Sequence, residues 1–170
     1  MRCGRSWTAA ERLLERVDVS ATLDVNILVY AADETSSRHV RARALLEHVA
    51  TSQSITYLFW PVLLGYMRII TNPAIVDAPL SPESALADID DLIARPQIVV
   101  AGEGDRFWSG FKTVARAVQP RGALVPDAHL VALMREHGVA TVWSNDRDFR
   151  KFDGISALNP FDARYSTGFE

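Results

Sequence analysis

The alternation of short apolar runs with longer helical patterns predicts an α/β fold. We expect a single domain with a central parallel sheet of about four to five short strands, flanked by helices on both faces. The chain has 170 residues, of which 48% are hydrophobic, and this suits one compact core. No internal repeat, low-complexity segment or linker divides it. The domain is expected at 21–162, after an N-terminal extension at 1–20 (helical or disordered) and before a C-terminal tail at 163–170.

Each predicted strand is a short apolar run, and each predicted helix has an apolar face or recognisable ends. In chain order we predict a strand at 21–23, a helical segment to 32, a helix at 39–50, a strand at 55–58, helices at 60–71 and 82–94, a strand at 98–100, helices at 105–118 and 126–137, a strand at 139–143, a helical turn at 149–152 and a strand at 155–158.

Several helix ends are marked by specific residues. Ser36 or Ser37 suits the cap of the helix at 39–50. Pro61 suits the first turn of the next helix. Ser81 precedes a proline and an acid, which together are a strong helix start. Gly138 follows the helix at 126–137, where a left-handed residue commonly ends a helix.

Composition excludes several classes of protein. The formal net charge of −3 gives no overall basic footprint for nonspecific nucleic-acid binding. The single cysteine, Cys3, excludes a disulfide framework and a cysteine-based zinc site within one chain. No apolar run approaches the roughly 20 residues of a membrane span. Acidic residues from Glu11 onward interrupt any signal-peptide hydrophobic region. We therefore expect a cytoplasmic protein without a membrane segment.

Three aspartates occupy positions from which they can meet. Asp24 directly follows the first strand, and Asp146 follows the strand at 139–143 after two residues. Asp127 lies at the start of a helix that begins at the same edge if the loop before it crosses there. Sites in open parallel sheets form beyond the carboxyl ends of the strands. A hard divalent cation would relieve the repulsion among the three carboxylates, and oxygen ligands favour Mg²⁺ or Mn²⁺ over Zn²⁺.

Each aspartate alone also has an ordinary structural explanation. Asp127 suits a helix N-terminus through the helix dipole. Asp146 lies in a common turn composition, and Asp24 suits an Asx turn at a strand end. The joint pattern is what favours a metal site.

Four segments in series resemble those of a known family. They are LDVNILVY at 23–30, LLGYMRIITNP at 63–73, VPDAHL at 125–130 and TVWSNDRDF at 141–149. With them the chain resembles the PIN-domain ribonucleases of the VapC toxin kind, over roughly residues 21–160. The resemblance implies a metal-dependent endoribonuclease that leaves 5′-phosphate and 3′-hydroxyl ends.

The resemblance also implies roles for particular residues. Asp24 and Asp127 would be the principal metal ligands, and Asp146 would complete the acidic set directly or through water. Asn26 and Ser144 match polar positions that line such sites, and we expect supporting hydrogen bonds from them.

One position departs from the family pattern. Many relatives have a glutamate on the helix after the second strand, where this chain has Gly65. The loss predicts weaker binding of a second metal ion, unless Glu34 or Asp148 compensates.

The resemblance further implies three partners: an RNA substrate, a VapB-like antitoxin and a second copy of the chain. The antitoxin would place an apolar helix or an extended tail in a groove near the helices at 38–50 and 60–71, with a basic side chain among the acids.

Two other functions remain open from the sequence. One is an inactive PIN-like module that binds RNA or an antitoxin. The other is an α/β phosphotransfer or phosphatase domain with Asp24 as nucleophile, which predicts a second aspartate where Asn26 stands.

Overall fold

The computed structural model describes residues 20–163. The predicted helix in the N-terminal extension therefore lies outside the described residues, as does most of the tail. The described elements are β1 (Ala21–Leu23), α1 (Val25–Ala32), α2 (His39–Thr51), β2 (Thr56–Phe59), α3 (Trp60–Ile70), α4 (Pro82–Ile93), β3 (Ile98–Ala101), α5 (Phe107–Val118), α6 (Leu124–Glu136), β4 (Thr141–Trp143), a 3₁₀ helix (Arg147–Lys151) and β5 (Ser156–Leu158).

The five strands form one sheet in the order β3-β2-β1-β4-β5, and every neighbouring pair is parallel. Ala21 of β1 lies opposite Thr56 of β2 on one side and Thr141 of β4 on the other. The chain thus builds outward from β1 to β2 and β3, then returns to add β4 and β5 on the opposite side. The predicted α/β class is confirmed, and the strand order reverses between β1 and β4.

The core is built on both faces of this sheet. Leu23, Leu58 and Val142 on the three central strands are fully buried. Helix α6 has five consecutive buried residues from Leu130 to Met134, so it is apolar on nearly all sides, as expected of a helix enclosed by its neighbours. Its burial fixes the first turn, which carries Asp127, relative to the sheet.

Three of the predicted helix ends are confirmed. Pro61 lies in the first turn of α3. The Ser81 hydroxyl accepts a hydrogen bond from the Ser84 N–H at 3.0 Å and caps α4. Gly138 has a φ of +70° directly after the last residue of α6 and its cap, a conformation that suits glycine.

Other ends differ from the predictions. Arg38, not Ser36 or Ser37, is the N-cap of α2. Helix α5 begins at Phe107 rather than 105, because both carboxylate oxygens of Glu136 accept backbone N–H groups of the preceding loop, from Gly104 and Arg106. A contact this distant in sequence leaves no local signal.

No helix within residues 20–163 is both long enough and apolar enough to cross a membrane.

The cap of α4 gives a first prediction. Ser81→Ala removes the side-chain oxygen that accepts the Ser84 N–H at this helix start, and it should lower the free energy of unfolding by about 1 kcal/mol in urea titrations. The control is Ser37→Ala, since Ser37 is exposed in a turn, with an expected change within about 0.5 kcal/mol. Equal effects of the two substitutions would contradict the capping role.

Candidate metal-binding active site

The backbone places Asp24 at the point where the strand order reverses. Its N–H donates to the Trp143 carbonyl at 3.0 Å, which ties the end of β1 to the end of β4. The Ser144 N–H donates to the Leu158 carbonyl at 3.0 Å, which ties β4 to β5. Parallel α/β sheets bind ligands in the crevice at this reversal. Asp24 and Ser144 therefore face each other across the expected site.

The Asp24 side chain is only 5% exposed. Its Oδ2 accepts hydrogen bonds from the Ser144 hydroxyl at 2.7 Å and from the Asn26 amide at 3.2 Å. Burial raises the pKa of Asp24; the Ser144 hydrogen bond opposes this rise, and the charge of Asp146 adds to it. The ammonium of Lys151 pairs with Asp148 and not with this carboxylate.

Ser144 connects Asp24 to Asp146. Its hydroxyl donates to Asp24 and accepts the Asp146 N–H at 2.9 Å. The Asp146 Oδ1 in turn accepts the Asp148 N–H at 2.8 Å and caps the 3₁₀ helix. Because Ser144 accepts from a backbone amide, its hydroxyl hydrogen is directed to the Asp24 carboxylate. One buried serine thus fixes the rotamer of Asp24 and the path of the following loop.

Asp127 lies in the first turn of α6 and is partly buried. Burial raises its pKa to about 7, and the charges of Asp24, Asp146 and Asp148 act in the same direction, while Lys151 opposes them. The acids therefore share one electrostatic environment. A carboxylate whose pKa is raised this way is stabilised in its charged form by an added cation.

The predicted site residues are joined in two different ways. Asp24, Asn26 and Ser144 are in direct contact, with Asp146 attached through Ser144, whereas Asp127 is coupled to the acids through its charge. Within residues 20–163, no three His, Cys, Asp or Glu side chains are arranged so that they could hold a metal ion by themselves. The donor set fits a hard cation that keeps most of its waters, as Mg²⁺ does with one or two carboxylates.

Four residues that the sequence analysis considered near the site lie in different surroundings. A Cβ on Gly65 would lie 3.3 Å from the Cγ2 of Val25, the residue after Asp24, so α3 and α1 pack closely at the position where the family resemblance leads us to expect a glutamate. Glu34 is exposed and lines a separate cavity. Asp148 faces the acids but is paired with Lys151. His129 points away from the site and bonds Glu103 at 2.7 Å.

Sequence reasoning missed two side chains near the acids. The Oδ1 of Asn145 is buried and has no hydrogen-bond partner among the described residues. Lys151 pairs with Asp148 at 2.8 Å. The spacing of three residues between Asp148 and Lys151 within a helical turn was the available signal. This spacing is too common to be informative alone.

Comparisons with known proteins agree with this fold. The family model of the PIN domain matches residues 21–155. Ribonuclease VapC48 of Mycobacterium tuberculosis is 50% identical over 143 residues, covering 84% of this chain and 99% of that protein. Ribonuclease VapC43 of the same species is 35% identical over 142 residues, covering 84% of this chain and 96% of the relative.

Two solved structures share the fold at low identity. The chain matches a structure of VapBC2 from Rickettsia felis bound to a promoter DNA fragment, with a TM-score of 0.62 and 14% identity over 83% of this chain and 98% of that one. It matches M. tuberculosis VapC20, described as a sarcin–ricin loop cleaving toxin, with a TM-score of 0.57 and 16% identity over 80% and 98% of the two chains. The chain belongs to the PIN domain family, within its VapC group.

Proposed function

We propose that this chain is a metal-dependent endoribonuclease that hydrolyses RNA phosphodiester bonds as the toxin of a VapBC-type toxin–antitoxin pair. The observation that carries the proposal is the buried, hydrogen-bonded Asp24 carboxylate at the strand-order reversal, beside three further acids. Relatives at 50% and 35% identity over most of the chain are named ribonucleases, which supports the reaction class.

In this proposal Asp24 and Asp127 would hold Mg²⁺ or Mn²⁺, and Asp146 would contribute directly or through water. Ser144 and Asn26 orient the Asp24 carboxylate through the two hydrogen bonds described above. When bound, such a cation would supply a water of lowered pKa and would stabilise charge on the phosphoryl oxygens. No serine, cysteine or histidine nucleophile is needed, and the products expected are a 5′-phosphate and a 3′-hydroxyl.

A second candidate function is an RNA-binding or antitoxin-binding module without activity. Gly65 favours it, because the missing carboxylate leaves fewer charges to hold a second metal ion. Cleavage of RNA that depends on a divalent metal separates the two candidates.

A cavity of about 430 Å³ between α1, α2, α3 and α4 is the antitoxin site that we propose. Its apolar wall includes Leu28, Leu46 and Leu63. Its charged lining residues are the four acids Glu34, Glu47, Asp88 and Asp91 and the two arginines Arg43 and Arg95, so acids predominate. This composition suits an apolar segment that carries a basic side chain. A VapB-like antitoxin is therefore the proposed occupant, and we propose a homodimeric toxin in the cytoplasm.

The metal-holding role of Asp24 predicts a specific loss of activity. Asp24→Asn should lower the rate of Mg²⁺- or Mn²⁺-dependent RNA cleavage by about 100-fold or more, while circular dichroism shows a folded protein. The matched control is Asp77→Asn, which removes the same charge from an exposed position and should leave the rate unchanged. Cleavage that persists in Asp24→Asn would refute the role.

The raised pKa of Asp127 predicts how stability depends on pH without metal. The carboxyl loses its proton near pH 4 in the unfolded chain but near pH 7 in the folded one. Between these values the unfolded state binds fewer protons, so the stability of the native protein falls as pH rises.

Asp127→Asn removes this effect. It should therefore stabilise the metal-free protein at pH 8 by about 1–2 kcal/mol relative to the native chain, and by less at pH 5. Thermal unfolding in the presence of a chelator measures the difference. If the two proteins differ in stability by the same amount at pH 5 and at pH 8, the pKa of Asp127 is not raised in the folded protein.

The antitoxin cavity gives a further prediction. Leu46→Glu places a charge on its apolar wall and should weaken binding of the cognate antitoxin by about 10-fold or more, with RNA cleavage retained. Val40→Glu is the control, because Val40 is on the same helix and 76% exposed. Calorimetric titration of both variants reads the affinities. Equal affinities for the two variants would place the antitoxin elsewhere.

A further inference from the structure

The 3₁₀ helix after Asp146 is a rigid platform next to the acids. Phe149 and Phe152 are buried in the core, and the Asp146 carboxylate caps the first turn. The direction in which the polar side chains of this turn point is therefore fixed by packing on one side and by a hydrogen bond on the other. Side chains on such a platform can be placed accurately against a bound ligand.

Lys151 is the cation that this platform directs toward the site. Its ammonium lies 2.8 Å from the Asp148 Oδ1, and its side chain is 54% exposed. A continuous series of contacts leads from it to the buried acid: Lys151 to Asp148, Asp148 to Asp146, Asp146 to Ser144, and Ser144 to Asp24.

A cation at this place reduces the electrostatic repulsion between the RNA phosphate and the acids in the proposed reaction. A phosphodiester is an anion, and it must approach a pocket that contains four aspartates. One divalent cation offsets two of these charges, so the approach remains unfavourable unless the protein supplies further positive charge. Lysine binds phosphate oxygens as a point charge, and half of its side chain is open to solvent.

We propose that Lys151 contacts a non-bridging phosphate oxygen of the RNA bound at this site, and that Asp148 positions its ammonium. The proposal rests on the function proposed above and assigns a substrate-contacting residue to it. Asp148 thereby acts as the holder of a cation rather than as a replacement for the glutamate missing at Gly65.

RNA binding without cleavage tests the proposal independently of activity. Asp24→Asn serves as the background, and a short fluorescein-labelled single-stranded RNA of mixed sequence is the probe, read by fluorescence anisotropy. Adding Lys151→Gln should weaken binding about 5- to 10-fold at low salt. It should also reduce the slope of log K against log salt by about 0.7, the value for one lost phosphate contact on a single strand.

Matched variants separate this contact from general charge effects. Arg150→Gln removes the same charge from the neighbouring exposed position of the platform. It should leave both the RNA affinity and the salt slope nearly unchanged. Lys151→Arg keeps the charge and should retain most of the affinity. Asp148→Asn removes a repelling carboxylate as well as the partner that positions the ammonium, so the positioning role is read from coupling: the loss of affinity caused by Lys151→Gln should be smaller in the Asp148→Asn background than in its absence.

The outcomes are separable from those of the proposed function. Equal effects of Lys151→Gln and Arg150→Gln, or an unchanged salt slope in Lys151→Gln, overturn the proposal even if the native protein cleaves RNA. Absence of RNA binding in the Asp24→Asn background overturns it as well. Conversely, a protein that binds RNA through Lys151 but never cleaves it supports this contact and refutes the nuclease.

Discussion

The burial of one carboxylate is the constraint on which the site depends. Asp24 is almost inaccessible to solvent, and it is held by Ser144 and Asn26 at the junction of two central strands. An ionised carboxylate in such a place is costly unless it is hydrogen-bonded or neutralised. Two hydrogen bonds reduce this cost, but the neighbouring acids increase it. The arrangement is therefore a destabilised site that a cation would stabilise, and the surrounding core has to supply the difference in free energy.

The topology explains why the acids meet at this place. The chain leaves β1 toward β2 and β3 and later returns to β4, so the ends of β1 and β4 are adjacent although they are distant in sequence. Asp24 and Ser144 follow these two strands directly. Helix α6 is enclosed by apolar neighbours and brings its first turn, with Asp127, into the same electrostatic environment. The packing of the core thus determines the composition of the site.

The sequence predicts those parts of the fold and site that follow from local chemistry. The strand-then-acid pattern at Asp24 and Asp146 predicts their common edge, because parallel strands place their carboxyl ends together. Ser81 and Gly138 predict helix ends, because capping and left-handed backbone are local properties. The structure confirms all four placements.

Other features depend on contacts between distant segments and could not be predicted. The loop before α5 is bound by Glu136, which is 32 and 30 residues away from the two backbone N–H groups that donate to it. The serine that joins Asp24 to Asp146 was predicted only as a supporting residue, not as the connection between them. Lys151 becomes informative only when the cap of Asp146 and the burial of Phe149 show which way its turn faces. The nuclease family could be inferred from motifs. How the charges of the site are balanced could be inferred only from the fold.

The location of a bound metal ion tests the central claim most directly. Crystals soaked with Mn²⁺ and measured for anomalous scattering should show one strong peak next to the carboxylates of Asp24 and Asp127, and the peak should be absent in Asp24→Asn crystals. If saturating Mn²⁺ instead occupies only surface acids and leaves Asp24 without a metal contact, the buried carboxylate is not a cation site and the account fails.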